Sequence, residues 1–511
     1  MKAQLVLPDH SSSPACPARV AVIGGGLAGC ECAITLARRG IAVDLYEMRP
    51  LRSTPAHETD LLAELVCSNS FRSEEIASGI GLLKAEMTAL GSLVMAAAQK
   101  TRVPAGKALA VDRALFAKAV TAAIEAEAGI RLIRREITSL SDPEPASAAA
   151  IVVAAGPLAS EGLSADLAAR IGSSGLYFYD AIAPIVAAHS VDMSIAFWGS
   201  RYNPEEHDYL NCPFSREEYF AFREALLAGQ KVPARDFEKE IHFEGCMPVE
   251  ALAERGEMTL AFGSLKPVGF TDPRTGARPF AVLQLRPENA DKSAFNLVGC
   301  QTKLTYPEQE RIFRLVPGLA RAEFLRLGSM HRNTYVNAPE TLNPDLSLRA
   351  AQPDLPPVYL AGQITGVEGY LESAATGLWL GLDLAARLHN LAAQAQTAVG
   401  EPGRPMPATN AHLETDPAAD PAAPEAETAP AALHSLDPRR AKGLTPPPPV
   451  TALGALLAHL QRPVKNFQPS NVNFGLMPAP EERLRKKDRK AAYSGRAQEA
   501  FAAWLKGWTE G

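Results

Sequence analysis

The sequence predicts an α/β protein: a doubly wound, Rossmann-type domain with an inserted α+β domain. Three observations predict it. A glycine-rich turn lies between two short apolar strands within residues 20–46. A further strand, glycine turn and helix follow at 358–381. Between them, over 175–330, aromatic residues cluster, and prolines and glycines separate short segments, which is typical of a separate substrate domain.

The first element is a strand, turn and helix with the spacing G-x-G-x-x-G. Apolar residues 20–23 fit a buried parallel strand, and Gly24, Gly26 and Gly29 follow it. The first glycine permits a sharp turn, the second leaves room for a pyrophosphate, and the third lets the helix pack close to the strand. The predicted nucleotide contacts in this turn are Gly24, Gly25, Gly26, Leu27, Ala28 and Gly29.

A second apolar strand, residues 41–46, ends in Glu47. An acid about 20 residues after the first glycine can accept hydrogen bonds from ribose hydroxyls. The glycine spacing between two strands, closed by this acid, therefore favours a dinucleotide site over a purely structural glycine turn.

The bulk composition indicates a globular protein and excludes several classes. Of 511 residues, 47% are hydrophobic and 21% charged, and no apolar run approaches a membrane span. Residues 1–18 lack the features of a signal peptide, so we expect a cytoplasmic protein with an N-terminal extension. The seven scattered cysteines, without a C-x-x-C pair, argue against a disulfide scaffold and a structural zinc site, so no metal is predicted. Because the net charge is −6, nucleic-acid binding would require a local basic patch.

Two cysteines have sequence contexts that suit a reactive thiol. Cys67 ends an apolar stretch, 61–66, expected to be helical, and Arg72 nearby could favour its thiolate. Cys246 lies in a turn that enters a helix, whose N-terminus would stabilise a thiolate. For each, the alternative is a buried packing residue. The remaining cysteines of the folded region are expected to be structural: Cys30, Cys32, Cys212 and Cys300.

Further helices are expected at 79–99 and 111–128, and a second buried strand at 151–156. The segment 358–381 closes the first domain with a strand, a turn containing Gly362 and Gln363, and a helix from about residue 369. In doubly wound flavoproteins such an element points a helix N-terminus at the flavin, where its dipole favours the anionic reduced ring. The two glycine turns together favour FAD over free NAD as the bound cofactor.

The C-terminal part divides into two regions. Residues 393–450 are rich in Ala, Pro, Glu and Thr and are predicted to be a disordered linker or surface insertion. Residues 451–511 are predicted to be a helical segment with a basic run, which is either a solvated helix face or a site for nucleic-acid phosphates. Its members are Arg483, Arg485, Lys486, Lys487, Arg489 and Lys490.

With these residues in view, the chain resembles the folate- and FAD-dependent tRNA (uracil-5-)-methyltransferases of the TrmFO family, related to the MnmG/GidA flavoproteins. The matching segments cover nearly all of the chain outside residues 1–18 and 393–450: VIGGGLAG, ELVCSNSFRS, DAIAPIV, NCPFSREEY, FEGCMPVEALAERG, GSLKPVGF, MHRNTYVN, LAGQITGVEGYLESAATG and NVNFGLMP. The resemblance implies FAD, NADPH or NADH as reductant, and methylenetetrahydrofolate as carbon source. It also implies 5-methyluridine, at position 54 of the tRNA T-loop, as product.

The resemblance also implies roles for particular residues. A pair of functional cysteines corresponds to Cys67 and Cys246; one attacks uracil and the other acts at the flavin-bound carbon or in proton transfer, with Cys246 favoured as nucleophile. An imidazole stacked on the folate ring corresponds to His331, with His242 as the alternative and a structural role for His331 still open. The implied partners are tRNA and small-molecule co-substrates, without an obligate protein partner.

Three other functions compete with this interpretation. An MnmG-type modifier of the wobble uridine would need a partner GTPase and a longer helical tail. A flavin disulfide reductase would need a C-x-x-C or C-x-x-x-x-C motif, which the sequence lacks. In a non-catalytic flavin sensor or tRNA-binding protein the cysteines would merely pack.

Overall fold

The computed structural model describes residues 16–54, 56–172, 176–181, 183–201, 207–232, 247–350, 352–399, 437–464, 467–480, 485 and 488–510. Its strands are β1 (Cys16–Ile23), β2 (Ile41–Glu47), β3 (Ser70–Ser73), β4 (Arg102–Val103), β5 (Ala108–Val111), β6 (Ile130–Arg134), β7 (Ala150–Val153), β8 (Leu176–Ala181), β9 (Ile185–Ala187), β10 (Phe197–Gly199), β11 (Tyr209–Phe214), β12 (Ala281–Pro287), β13 (Ala294–Leu297), β14 (Phe324–Arg326), β15 (Met330–Tyr335) and β16 (Val358–Leu360). Its helices are α1 (Leu27–Ala37), α2 (Gly79–Ala89), α3 (Leu93–Lys100), α4 (Arg113–Glu125), α5 (Pro143–Ala146), α6 (Glu161–Ile171), α7 (Arg216–Ala228), α8 (Val249–Glu254), α9 (Thr259–Phe262), α10 (Tyr306–Phe313), α11 (Ala338–Thr341), α12 (Tyr370–Val399), α13 (Ala452–Gln461) and α14 (Arg489–Glu510).

The first sheet is parallel and has the strand order β16-β7-β1-β2-β6. Its central strand β1 is apolar because both faces are covered, and Val20 and Val22 are fully buried. The helices α1 and α12 pack against each other beside this sheet. This arrangement confirms the predicted α/β fold with a Rossmann-type domain.

The second sheet is antiparallel, with the order β10-β11-β12-β13-β9-β14. It has its own hydrophobic core, in which Phe222 and Phe313 from α7 and α10 pack with sheet residues such as Leu283. The strands β8 and β15 pair with each other at the two ends of this region. The N-terminal part of the chain thus forms the first core, the middle part forms the second core, and the C-terminal part packs in the first core again.

The helices α13 and α14 belong to the first core, although they follow the rest of that domain in sequence. Glu86 of α2 joins α13 to it, because the buried carboxylate accepts hydrogen bonds from the amides of Ala452 (2.8 Å) and Leu453 (2.7 Å). Glu31 of α1 caps α3 in the same way. Burial raises the pKa of both carboxyl groups to about 7, against the opposing effect of these amides.

The predicted helix at 61–66 is wrong. Ala63 has a φ of +51°, which no right-handed helix contains. The amides of this segment bind outside it, since Leu62 donates to Thr121 Oγ1 and Ala63 donates to the Gly25 carbonyl. Leu62 and Leu65 are nevertheless buried, so an irregular turn satisfies the same apolar spacing.

The predicted single helix at 79–99 is two helices, α2 and α3, whose axes differ by 106°. Gly91 lies at the break with a φ of +78°, and the Ser92 hydroxyl caps α3 by accepting from Met95 N. Within the described residues no single helix could cross a membrane by length and composition, whereas this bent pair passes that test.

The prediction of a disordered region over 393–450 is wrong at both ends. The helix α12 continues to Val399, and residues 437–445 pack back onto it. Asp383 accepts a hydrogen bond from Leu444 N (2.6 Å), and Arg387 donates to the Ala441 carbonyl (3.0 Å). Residues 400–436 lie outside the described residues, as do residues 1–15 of the predicted N-terminal extension.

We predict that Gly377→Ala destabilises the protein, because α12 crosses α1 at this glycine. A Cβ atom at residue 377 would lie 2.2 Å from the Ala28 carbonyl oxygen, so the two backbones would have to separate. We expect the free energy of unfolding to fall by about 1–3 kcal/mol, measured by chemical denaturation of the purified protein.

The matched control is Gly495→Ala in the middle of α14, where a Cβ atom meets no atom within 4 Å. This substitution should leave the stability unchanged or raise it by up to about 1 kcal/mol. Equal effects of the two substitutions would show that the α1–α12 crossing tolerates separation.

Candidate functional site

A cleft lies at the carboxyl ends of β1, β2 and β7, and it encloses about 1030 Å³ of empty space, part of it open to solvent. Its position matches that of ligand sites in doubly wound sheets. Residues from five segments line it: 23–28, 46–49, 135–137, 154–160 and 362–363, together with His57, Glu64, Val66, Leu163, Tyr370 and Ser373. The predicted contacts Gly24, Gly25, Gly26, Leu27, Ala28, Glu47, Gly362 and Gln363 are all in this lining.

The glycine turn has the geometry that a pyrophosphate requires. Gly24 has a φ of +111°, and a Cβ atom there would lie 2.5 Å from the Ala154 carbonyl oxygen. Gly29 lies behind the turn, where a Cβ atom would come within 1.9 Å of the Gly24 carbonyl oxygen. Gly26, by contrast, has no atom within 4 Å of its Cβ position and immediately precedes α1. The N-terminus of α1 is therefore approachable, so the turn fits a dinucleotide.

Glu47 ties the glycine turn to the end of β2. Its Oε2 accepts a hydrogen bond from Gly25 N (2.9 Å), and its Oε1 accepts from Arg49 Nε (3.0 Å). Arg49 is itself buried and also contacts Glu64 (3.2 Å). Burial alone would raise the pKa of Glu47, but the hydrogen bonds and charge of Arg49 outweigh it and hold this pKa below its usual value. The carboxylate therefore stays ionised at the edge of the cleft.

The second glycine turn rests directly on α1. Gly362 has a φ of +84°, and a Cβ atom there would lie 2.9 Å from Ala28 Cβ. Its amide donates to Thr376 Oγ1 (2.7 Å), which fixes the turn to α12. The next side chain, Gln363, donates to Glu368 (2.9 Å). The N-terminus of α12 is thereby held beside that of α1, as the flavoprotein pattern predicts.

Cys67 is half-buried and lies close to the start of α12. Its backbone amide donates to the Tyr370 hydroxyl (2.7 Å), as does that of Ser68 (3.1 Å). Burial and the nearby Cys67 raise the pKa of Tyr370, so its hydroxyl stays protonated while it accepts these bonds. Because Tyr370 also lines the cleft, Cys67 is connected to the predicted cofactor site.

The influence of Arg72 on Cys67 stays a prediction, and the contact that the structure describes for Arg72 is with another residue. The Arg72 guanidinium pairs with the buried carboxylate of Glu372 in the first turn of α12. The arginines that contact the Cys67 segment are Arg113, which donates to the Cys67 carbonyl (3.4 Å), and Arg286, which donates to the Ser68 hydroxyl (2.8 Å). They lie 46 and 218 residues away in sequence, so no local spacing could have identified them.

The four cysteines expected to be structural are fully buried, and burial raises the pKa of each thiol: Cys30, Cys32, Cys212 and Cys300. They therefore remain protonated packing residues. Among the described residues no group of three His, Cys, Asp or Glu side chains is placed to hold a metal ion.

Several predicted site residues lie outside the described residues: His242, Cys246, Arg483, Lys486 and Lys487. The backbone of His331 is described and lies in β15, opposite Asp180 of β8. Of the basic run, Arg485, Arg489 and Lys490 are exposed, and Arg485 pairs with Asp488 (2.9 Å). The roles assigned to these residues stay predictions.

The chain is similar to proteins of known families along most of its length. The family described as glucose inhibited division protein A matches residues 19–392. The chain is 60% identical over 484 residues to the methylenetetrahydrofolate–tRNA-(uracil-5-)-methyltransferase TrmFO of Oleidesulfovibrio alaskensis, covering 95% of this chain and 96% of that protein. It is 51% identical over 488 residues to the TrmFO of Geobacter sulfurreducens, covering 95% and 98%.

Among solved structures, GidA of Aquifex aeolicus in its form II crystal is similar in fold. The TM-score is 0.54 at 18% identity, over 73% of this chain and 63% of that one. At this identity the likeness supports the fold alone, and it agrees with the parallel sheet and glycine turns described above.

We predict that Glu47→Gln loses both stability and cofactor. Glutamine keeps an acceptor oxygen but removes the negative charge, so among the described residues the buried guanidinium of Arg49 keeps Glu64 as its anionic partner. Weakening a buried hydrogen-bond network to a charged group costs about 1–3 kcal/mol, so we expect a drop of this order in the free energy of unfolding and less visible flavin absorbance after purification.

The matched control is Glu136→Gln, which also changes an acid that lines the cleft. Its partner Arg52 is half exposed, so solvent screens this ion pair and its contribution to stability is small. A Glu47→Gln protein as stable and as yellow as the Glu136→Gln protein would contradict the role of Glu47.

Proposed function

The chain belongs to the methylenetetrahydrofolate–tRNA-(uracil-5-)-methyltransferase TrmFO family and to the glucose inhibited division protein A family, and from this membership we propose how its residues methylate uracil. The enzyme transfers a one-carbon unit from methylenetetrahydrofolate to C5 of uracil in tRNA, with FAD as cofactor. The observation that carries the proposal is the 60% identity over 95% of the chain. The T-loop uridine is the proposed target, and NADPH or NADH is the proposed reductant.

The residues of the cleft fit FAD. The glycine turn and the N-terminus of α1 would hold the pyrophosphate, and Glu47 would accept hydrogen bonds from the ribose. Gly362, Gln363 and the N-terminus of α12 would face the flavin ring. When bound and reduced, FAD supplies the hydride that converts the transferred methylene into a methyl group.

The two cysteines have separate tasks in this proposal. C5 of uracil is a poor nucleophile, so the Cys246 thiolate adds to C6 and the electrons of the C5–C6 double bond move to the C4 carbonyl. C5 of the resulting enolate then attacks the methylene carbon. A base removes the C5 proton while the nitrogen that carried the methylene leaves, which gives an exocyclic methylene on the pyrimidine. When a hydride adds to this methylene, the C6–S bond breaks and the Cys246 thiolate is released. Cys67 acts on the cofactor side, which is supported by its hydrogen bond to Tyr370 at the start of α12.

His331 is the proposed stacking partner of the folate ring. Its strand β15 pairs with β8, and these strands carry the chain between the two cores. The family resemblance, and not the strand alone, assigns the imidazole to folate.

The basic run is the proposed contact for tRNA phosphates. Arg489 and Lys490 are exposed in the first turn of α14, where the helix dipole disfavours positive charge. The helix dipole therefore does not account for this placement of positive charge, which supports a role in binding an anion. The target base would be extruded from its stack, because a thiolate cannot reach C6 of a stacked pyrimidine.

The alternative MnmG-type activity on the wobble uridine is not favoured. The identity to GidA of Aquifex aeolicus is 18%, against 48–61% to eight TrmFO proteins. This difference supports the T-loop methylation over the wobble modification.

We predict that the purified yellow protein transfers label from methylenetetrahydrofolate to T-loop uridine in unmodified tRNA. Cys246→Ala and Cys67→Ala should each abolish turnover, because each removes a sulfur that the chemistry requires, while FAD stays bound. Nucleoside analysis by mass spectrometry measures the product, and visible absorbance measures the flavin.

Cys212→Ala is the control, since that thiol is buried in the second core. Label that arrives from S-adenosylmethionine, and not from the folate, would overturn the assigned reaction. Full turnover in both the Cys67 and Cys246 variants would overturn their assigned roles.

We predict that neutralising the basic run weakens tRNA binding. Each lost phosphate contact should reduce the slope of log K against log salt by about 0.7–0.9. A variant with Arg485→Gln, Lys486→Gln and Lys487→Gln should therefore bind tRNA more weakly and with a flatter salt dependence in filter-binding titrations.

A control variant removes the same charge elsewhere, with Arg38→Gln, Lys100→Gln and Lys118→Gln at exposed positions. If both triple variants bind tRNA alike, the basic run is a solvated face without a role in binding.

A further inference from the structure

The segment around Cys67 has no regular secondary structure, and its polar groups are satisfied by other parts of the chain. The carbonyl oxygens of Leu65 and Cys67 accept hydrogen bonds from Arg113 at 2.6 and 3.4 Å. Arg113 is the first residue of α4, which belongs to the first domain. The position of Cys67 is therefore fixed by side chains and not by a helix of its own.

Arg113 is in turn held by the inserted domain. Its Nε lies 2.6 Å from Glu288 Oε2 and its Nη2 lies 3.2 Å from Glu288 Oε1, a two-point contact. Glu288 directly follows β12 of the second sheet, and only 7% of its side chain is exposed. Burial alone would lower the pKa of Arg113, but Glu288 reverses this effect and raises it, so the guanidinium remains charged.

A second arginine, Arg286, lies in β12 itself and contacts the two residues that follow Cys67. Arg286 donates to the Ser68 hydroxyl (2.8 Å) and to Asn69 Oδ1 (2.7 Å). The side-chain amide of Asn69 in turn donates a hydrogen bond to the Pro287 carbonyl (3.0 Å). Arg286 and Glu288 are two residues apart, so their side chains leave the strand on the same side.

We propose that Arg113 and Arg286 are positioning residues, which hold Cys67 at the cofactor cleft by attaching its segment to the end of β12 in the inserted domain. Both domains thus fix the backbone of Cys67: Tyr370 of the first domain accepts a hydrogen bond from its amide, and Arg113, which Glu288 of the inserted domain holds, donates to its carbonyl. The catalytic purpose of the Cys67 thiol in this inference rests on the proposed function. The contacts that hold its segment are independent of that function.

The proposal predicts opposite changes in two properties of Cys67. Lysine keeps the positive charge of arginine but has one nitrogen in place of the three separate nitrogens with which Arg113 binds Leu65, Cys67 and Glu288. A Cys67 segment released in this way should let reagents reach the half-buried thiol more easily, while the thiol spends less time in the productive position.

The test uses Arg113→Lys and Arg286→Lys in the full-length, FAD-loaded protein. We expect iodoacetamide to alkylate Cys67 at least threefold faster, as measured by peptide mass spectrometry, with the Cys246 peptide as internal reference. We expect kcat for methyl transfer to fall at least tenfold with KM for tRNA changed less than threefold. The alkylation does not require methyl transfer, so it tests the positioning even if the proposed reaction is wrong.

Arg170→Lys is the matched control, because Arg170 is as little exposed as Arg113 and also forks between partners, Asp166 and Ser141. It should change neither the alkylation rate nor kcat. An unchanged Cys67 alkylation rate in both positioning variants would overturn the proposal.

If an arginine variant loses its flavin or unfolds, Ser68→Ala and Glu288→Asp replace it, because they alter the contacts and leave both arginines in place. Faster alkylation of Cys67 in these variants supports the proposal. Alkylation at the wild-type rate in both contradicts it.

Discussion

The carboxylate of Glu47 holds the glycine turn and a buried arginine together at the carboxyl end of the first sheet. A buried charge is stable only with a partner of opposite sign, so Glu47 and Arg49 fix each other's position. The turn that they hold carries the start of α1, and α1 in turn supports Gly362 and the start of α12. The cleft therefore depends on one ion pair for the relative position of its two glycine turns.

The part of the fold that follows local rules could be predicted from the sequence. The spacing of Gly24, Gly26 and Gly29 is set by contacts within one strand–turn–helix unit, so it identified the nucleotide end of the cleft. The strand and glycine turn before α12 were recognised in the same way. The spacing does not predict which elements pack against each other. The crossing of α12 over α1 at Gly377 and Ala28 is an example, because this contact joins residues far apart in the chain.

The surroundings of Cys67 show why the rest could not be predicted. The apolar spacing of 61–66 suits a helix, but the amides of Leu62 and Ala63 find better partners in Thr121 and Gly25. Arg72 is the nearest arginine to Cys67 in sequence, but it pairs with Glu372. The guanidinium that donates to the Cys67 carbonyl belongs to Arg113. Tertiary contacts of this kind override local propensity, and they decide which chemistry the thiol can perform.

The return of residues 437–445 to α12 has a consequence for how this chain can change over evolution. Asp383 and Arg387, one helical turn apart, anchor the returning backbone through Leu444 and Ala441, so both ends of the intervening segment are attached to the same helix. Replacing either side chain removes a hydrogen-bond partner from this backbone. Asp383 and Arg387 can therefore change only together with the residues that they anchor.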